Sequence, residues 1–157
     1  MENRFILLID GDNFSPNAVK FMINDIKTRG NIIIKKVYGD FSSKALNWKQ
    51  SCYEYQIEAL QVWSRNRKQA TDNRLLTDGV EMICNYPKFT HLAIASGDID
   101  MSDLVRIAKY HNKYVIGYSS GKRHTSNLLK KCCDEFIICR KPSKVTSNSL
   151  INASNSS

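Results

Sequence analysis

Long apolar runs are absent from this sequence. A transmembrane helix needs about 20 consecutive apolar residues, and no run in the chain approaches that length. The opening stretch MENRFILLID reaches an acidic residue after only five apolar ones, which is too short for the apolar segment of a secretory signal peptide. We therefore expect a protein that is neither anchored in a membrane nor exported, and most simply a cytoplasmic one.

Cysteines in metal-binding pairs are also absent. The five cysteines are odd in number, no two form a C-x-x-C pair, and the chain has three histidines. Zinc sites use spaced cysteine pairs or cysteines with histidine partners, and adjacent cysteines rarely form a disulfide with each other. We expect reduced thiols in an intracellular protein at Cys52, Cys84, Cys132, Cys133 and Cys139.

Acidic residues are in the minority. The chain has 23 Lys and Arg against 15 Asp and Glu, a formal net charge of +8. This balance favours a polyanionic partner, with nucleic acid first and an anionic membrane surface second. Residues 41–68 and 111–157 are basic, whereas residues 69–110 hold six acids against four bases. An acidic centre between basic stretches suits a polyphosphate chain drawn across a metal site.

Two kinds of side chain are candidates to contact such a polymer. The basic residues predicted to bind phosphate are Arg65, Arg67, Lys68, Lys122 and Arg123. Aromatic residues are weaker candidates for base stacking, because aromatic side chains at strand positions are usually core; they are Tyr53, Tyr55, Trp63 and Tyr118.

Short apolar runs alternate with helical patterns along the chain. This alternation predicts a parallel α/β sheet with helices on both faces. Strands are expected at residues 5–9, 32–38, 57–63, 91–95, 114–118 and 136–139. Helices are expected at residues 16–28, 43–54, 72–85, 102–111 and 124–132, the third capped by Thr71 and Asp72. Residues 1–140 would form one domain, and the Ser- and Asn-rich residues 141–157 a disordered tail or linker.

Acidic residues follow two of the predicted strands. Asp10 ends the run FILLID, and Asp98 and Asp100 follow the run HLAIA. Ligand sites of open parallel sheets lie beyond the carboxyl ends of the strands, and Asp72 is expected beside the same edge. Clustered carboxylates repel each other unless a positive charge lies among them. Because Mg²⁺ prefers oxygen ligands, these four acids predict a divalent metal site.

Each of these acids also has an ordinary structural interpretation. Asp98 and Asp12 fit helix N-caps or turns, because Gly-Asp pairs are common there. Two strands that both end in Asp-x-Asp favour the metal site over that reading. Asp78 lies six residues after Asp72 and so points in a different direction from the helix axis. It either contacts the metal ligands without binding the metal or is simply solvated.

Four segments resemble the NYN domain, a family of the PIN-like nuclease superfamily. They are FILLIDGDN, RKQATDNRLLTDGVEMI, HLAIASGDIDMSDLVRIAKYHNKYVIGY and SNLLKKCCDEFII, in the family's order across about residues 4–139. The resemblance implies a PIN-like three-layer α/β/α sandwich with a mostly parallel sheet, and a ribonuclease that depends on Mg²⁺ or Mn²⁺. The metal-binding and catalytic acids that it implies are Asp10, Asp72, Asp98 and Asp100.

The resemblance also assigns supporting roles. Asn13 is similar to the family's site asparagine, Ser96 to the small hydroxyl residue before the site Gly-Asp, and Lys68 to a residue that reaches a phosphate. The family often has an aromatic residue and a proline after SGDxD, whereas this chain has MSD. Asp103 is thus an added acid that either assists the metal or caps a helix. We expect targeting to depend on the basic surface, a homodimer or a protein partner.

The sequence is compatible with three functions. The first is a metal-dependent endoribonuclease in which water attacks a phosphodiester of single-stranded RNA in line, leaving 5′-phosphate and 3′-hydroxyl ends. The second is a haloacid-dehalogenase-like phosphatase, with Asp10 as the nucleophile, Asp12 as the acid/base, and Asp98 and Asp103 as Mg²⁺ ligands. Against it, that family has Thr or Val where Asn13 stands. The third is a non-catalytic RNA-binding domain, which gains nothing from clustered carboxylates.

Overall fold

The computed structural model describes residues 2–42, 47–63, 67–121 and 125–139, without the side chains of residues 67 and 68. Six strands run over this part of the chain: β1 (Arg4–Asp10), β2 (Asn31–Gly39), β3 (Glu58–Gln61), β4 (His91–Ala95), β5 (Tyr114–Ser119) and β6 (Glu135–Ile138). The α-helices between them are α1 (Val19–Lys27), α2 (Lys49–Tyr55), α3 (Arg67–Asn85), α4 (Ser102–Tyr110) and α5 (Asn127–Cys132). Short 3₁₀ turns, Pro16–Ala18 and Ile99–Met101, precede α1 and α4.

The strands form one parallel sheet in the order β3-β2-β1-β4-β5-β6. β2 and β3 are added on one side of β1, and β4, β5 and β6 are added on its other side. The neighbours β1 and β4 pair from Phe5 opposite His91 to Ile9 opposite Ala95. The loops that follow these two strands therefore emerge side by side, at the kind of position where open α/β sheets bind ligands.

Helices cover both faces of the sheet because β1 is apolar on both. Phe5, Leu7 and Ile9 point toward a core completed by α1 and the residues around α2. Ile6 and Leu8 point toward a second core, completed by α3, α4 and α5. The result is the expected three-layer α/β/α sandwich, with β1 buried from its second residue onward.

The predicted elements are all present, but several of their bounds differ. One difference concerns α3, which begins at Arg67 rather than at residue 72. Thr71 and Asp72 are therefore buried residues of the helix, and the prediction that they cap it is wrong. The helix expected at residues 43–54 begins at Lys49, with residues 43–46 outside the described part. The predicted tail, residues 141–157, also lies outside it.

The structure also bears on two predictions from composition, the state of the cysteines and the absence of a membrane-spanning segment. The five cysteines are free thiols. Among the described helices, none has the length and apolar character to cross a membrane.

Candidate functional site

Asp10 lies at the carboxyl end of β1, fully buried, with both carboxylate oxygens hydrogen-bonded. Its Oδ2 accepts bonds from Asn13 Nδ2 at 2.8 Å and from Ser96 Oγ at 3.0 Å. Its Oδ1 accepts the backbone N–H of Asp12 at 3.2 Å. Burial raises the pKa of Asp10, and the bonds from Asn13 and Ser96 oppose this shift.

Ser96 connects the end of β1 to the loop after β4. Its hydroxyl donates to Asp10 and accepts the backbone N–H of Asp98 at 3.1 Å. Asp98 then caps the 3₁₀ turn that follows, because its Oδ1 accepts the backbone N–H of Asp100 at 3.0 Å. The N-cap interpretation of Asp98 is thus correct, and the cap fixes the direction in which its carboxylate points.

Three carboxylates meet beyond this edge of the sheet. Asp72 from α3 lies near Asp98 and Asp100 from the β4–α4 loop, and one oxygen from each lies within 4.8 Å of the others. Asp72 is buried, Asp98 is half-buried and Asp100 is exposed. Burial raises the pKa of Asp72 to about 7, and the negative charges of Asp10, Asp98 and Asp100 contribute to the shift.

The donor set of these three residues fits a divalent cation. All of the donors are carboxylate oxygens, which suit hard ions such as Mg²⁺ and Mn²⁺. In the described part of the chain, Asp72 Oδ1 is buried without a hydrogen-bond partner. A buried polar atom normally has a partner, and a bound cation would supply one while removing the repulsion among the acids.

The remaining predicted acids lie around this cluster rather than in it. Asp12 and the side chain of Asn13 are exposed beside Asp10. Asp78 forms an ion pair with Arg74, one turn earlier on α3, at 3.2 Å. Asp103 is exposed in the first turn of α4 and approaches Arg106 at 3.9 Å. Asp78 and Asp103 therefore each have a local basic partner.

The predicted RNA contacts are described only in part. Arg65, Lys122 and Arg123 lie outside the described residues, and Arg67 and Lys68 begin α3 with their side chains outside that description. Their role as phosphate ligands stays a prediction. Of the aromatic candidates, Tyr118 is a core residue, Tyr55 is partly buried, and Tyr53 and Trp63 are exposed.

Sequence reasoning missed Ser126 and Ile99. They line a groove of about 370 Å³ together with Asn13, Gly97 and Asp98. The backbone N–H of Ser126 donates to Gly97 O at 2.9 Å, and its hydroxyl caps α5. A serine directly before the helical pattern NLLKK was the available signal for a cap. No local pattern could have placed that cap beside Gly97, because Ser126 follows a different strand.

Comparisons with known proteins bear on the fold and the family. The crystal structure of a protein of unknown function from Vibrio parahaemolyticus is 22% identical in sequence and superposes with a TM-score of 0.65. The match covers 90% of this chain and 94% of that one, and it supports the fold. A search of curated proteins found no match. The sequence profile of the NYN domain matches residues 4–151, and the chain therefore belongs to the NYN domain family of the PIN-like nuclease superfamily.

Proposed function

We propose that this NYN domain is a metal-dependent endoribonuclease that cleaves single-stranded RNA at the cluster of Asp72, Asp98 and Asp100. The observation that carries the proposal is the convergence of these three carboxylates within 4.8 Å, including a buried Asp72 oxygen without a partner among the described residues. Family membership supports nuclease chemistry, since NYN domains are generally nucleases. The basic net charge supports a polyanionic substrate.

Asp72, Asp98 and Asp100 would hold the ion, which we propose to be Mg²⁺ or Mn²⁺. Asp10 was predicted as a fourth ligand. We propose instead that it does not contact the ion: it positions Asp98 through the hydroxyl of Ser96, and its negative charge acts on Asp72. The chemistry that a divalent ion supplies when bound is activation of water and neutralisation of charge on the phosphate. Its two positive charges would also keep Asp72 ionised at neutral pH.

The residues of the chain position the reacting groups. Asp98 is half-buried and Asp100 is exposed, and their carboxylates would accept hydrogen bonds from the attacking water and hold it in line with the phosphorus. The water gives up a proton to solvent as its oxygen bonds to phosphorus, and the bond from phosphorus to the 3′ oxygen breaks. The departing oxygen takes up a proton, which leaves a 3′-hydroxyl end and a 5′-phosphate end.

The phosphatase alternative has less support. It requires Asp10 as a nucleophile, yet the Asp10 side chain is fully buried and both of its oxygens accept hydrogen bonds. A nucleophile must reach the phosphorus with a free oxygen. The other acid that this alternative needs, Asp103, lies in an exposed pair with Arg106.

The test is cleavage of a fluorescently labelled single-stranded RNA by the Asp98→Asn variant. Asparagine is as good an N-cap as aspartate, so the variant should fold while its metal ligand is weakened. We expect the cleavage rate to fall by about a hundredfold. The matched control is Asp103→Asn, which removes an exposed acid three residues beyond Asp100 and should cleave at nearly the wild-type rate.

Two results would contradict the proposal. One is wild-type cleavage by a folded Asp98→Asn protein that still binds RNA. The other is a wild-type protein that binds RNA but does not cleave it in either Mg²⁺ or Mn²⁺, which would favour the non-catalytic alternative. A DNA strand of the same sequence, assayed in parallel, tests the choice of RNA.

A further inference from the structure

A second and larger groove opens between the start of α1 and α2. Its volume is about 530 Å³, within the range of small-molecule sites. Its lining is mainly polar and includes Asn17, Lys20, Asn47, Gln50, Glu54 and Tyr55. The Lys20, Asn47, Gln50 and Glu54 side chains belong to exposed residues, so they are available to a ligand.

This groove lies at the same edge of the sheet as the acid cluster. Trp48 Nε1 donates to Gly11 O at 3.2 Å, which fixes the start of α2 against the loop after β1. The backbone N–H of Ser15, another lining residue, donates to Ser120 Oγ at 3.1 Å. Asn13, two residues earlier, lines the groove beside Asp98. Because two residues span at most about 7.2 Å, the two grooves are close neighbours along one loop.

The chemistry of the larger groove differs from that of a phosphate site. Of its described lining residues, the charged ones are one lysine and one glutamate, so its formal charge is zero in a chain of net charge +8. A phosphate would gain little from such a lining. Carboxamides, by contrast, pair a donor with an acceptor, which matches the edge of a base, and an aromatic ring offers a surface on which an unstacked base can lie.

We infer that the groove between α1 and α2 is a base-binding subsite for the RNA strand, selective for bases that carry an exocyclic amino group. The inference rests on the proposed function for the identity of the polymer. Asn17 and Gln50 pair with the base edge, and Glu54 accepts a hydrogen bond from the exocyclic amino group of adenine, cytosine or guanine. Uracil lacks that amino group. The Tyr55 ring, which also lines the groove, offers the surface on which the base lies.

The test measures binding, so that it does not depend on cleavage. Labelled nine-nucleotide RNAs of adenosine, cytidine or uridine are titrated with the wild-type protein in EDTA, and affinity is read from fluorescence anisotropy. We expect the adenosine and cytidine strands to bind about fivefold to tenfold more tightly than the uridine strand. The Asn17→Ala/Gln50→Ala and Glu54→Gln variants should lose most of this preference.

The control is Asn24→Ala, which removes an exposed amide of α1 that does not line the groove, and it should keep the preference. Equal binding of all three strands by the wild type, or an unchanged preference in both groove variants, would overturn the inference. Failure of the proposed function appears separately, as absence of cleavage in Mg²⁺ and Mn²⁺ by a protein whose base preference is intact.

Discussion

At the scale of single residues, Asp72 determines how the acid cluster responds to pH. The pKa of an aspartate is ordinarily 3.8, and here burial and neighbouring carboxylates raise it to about 7. The folded chain therefore binds this proton more tightly than the unfolded chain does. Stability that depends on the bound proton is fully present below about pH 4 and is lost as the pH rises toward 7.

We predict that the raised pKa of Asp72 makes the melting temperature decrease from about pH 4 to pH 7 in EDTA. Saturating Mg²⁺ or Mn²⁺ should flatten the decrease, because a cation stabilises the ionised carboxylate. The Asp72→Asn variant, which has no proton to lose at this position, should show a flatter profile in EDTA. A wild-type profile that is the same with and without metal would contradict the assignment of Asp72 as a ligand.

The positions of some single residues were predictable and those of others were not. The signal for Asp98 and Asp100 was local, since SGDID directly follows an apolar strand. The full enclosure of Asp10 was not predictable, because it depends on Ser96, which follows β4 and lies 86 residues away in the sequence. Likewise, the spacing between Asp72 and Asp78 did not reveal that Asp78 pairs with Arg74.

At the scale of elements, the contact between α3 and α4 determines where Asp72 lies relative to Asp100. Gly79 of α3 lies against Leu104 of α4, and a Cβ atom built at Gly79 would lie 2.8 Å from both Leu104 methyl carbons. Leu104 is itself fully buried. The absence of a side chain at Gly79 therefore lets the two helices approach closely.

We predict that Gly79→Val destabilises the protein by roughly 1–3 kcal/mol through overpacking and also weakens metal binding. The added side chain would push α3 away from α4 and so separate Asp72 from Asp100. Urea denaturation measures the first effect, and titration with Mn²⁺ measures the second. A variant that is destabilised but binds Mn²⁺ with wild-type affinity would show that helix spacing does not set the geometry of the cluster.

The start of α3 illustrates the limit of prediction for elements. Thr71 and Asp72 have the residue types of an N-cap, and this chemistry suggested that the helix begins there. Both are buried within a helix that begins at Arg67. Burial against the rest of the fold outweighs the local capping preference, and Asp72 therefore lies in the second turn of α3 and not at an exposed helix end.

At the scale of the whole molecule, the net charge of +8 predicts salt-sensitive RNA binding. If about three phosphates are neutralised, raising the salt from about 50 to 200 mM should lower affinity by roughly tenfold or more. The Lys122→Ala/Arg123→Ala variant should have a smaller salt slope. Lys27→Ala/Lys88→Ala, which removes the same charge near the amino ends of the strands and away from the acid cluster, should keep the wild-type slope.

The overall architecture was the most predictable feature. Alternating apolar runs and helical patterns are sufficient to predict a parallel sheet, and parallel strands bring Asp10 and Asp98 to one edge. The groove between α1 and α2 was not predictable, because it depends on how Trp48 and Ser15 anchor two separate elements to the sheet. The local pattern of apolar residues thus predicts the three layers of the sandwich. The shape of the grooves depends on contacts between residues that are distant in the sequence.

The pairing of β1 with β4 also has a consequence for biosynthesis. The strands form their contact only after the intervening β2, β3 and their helices have been made, and such non-local contacts form late in folding. A nascent chain that ends before His91 has Asp10 and Asp72 but lacks Asp98 and Asp100. It therefore cannot assemble the acid cluster until the ribosome has also synthesised the loop that follows β4.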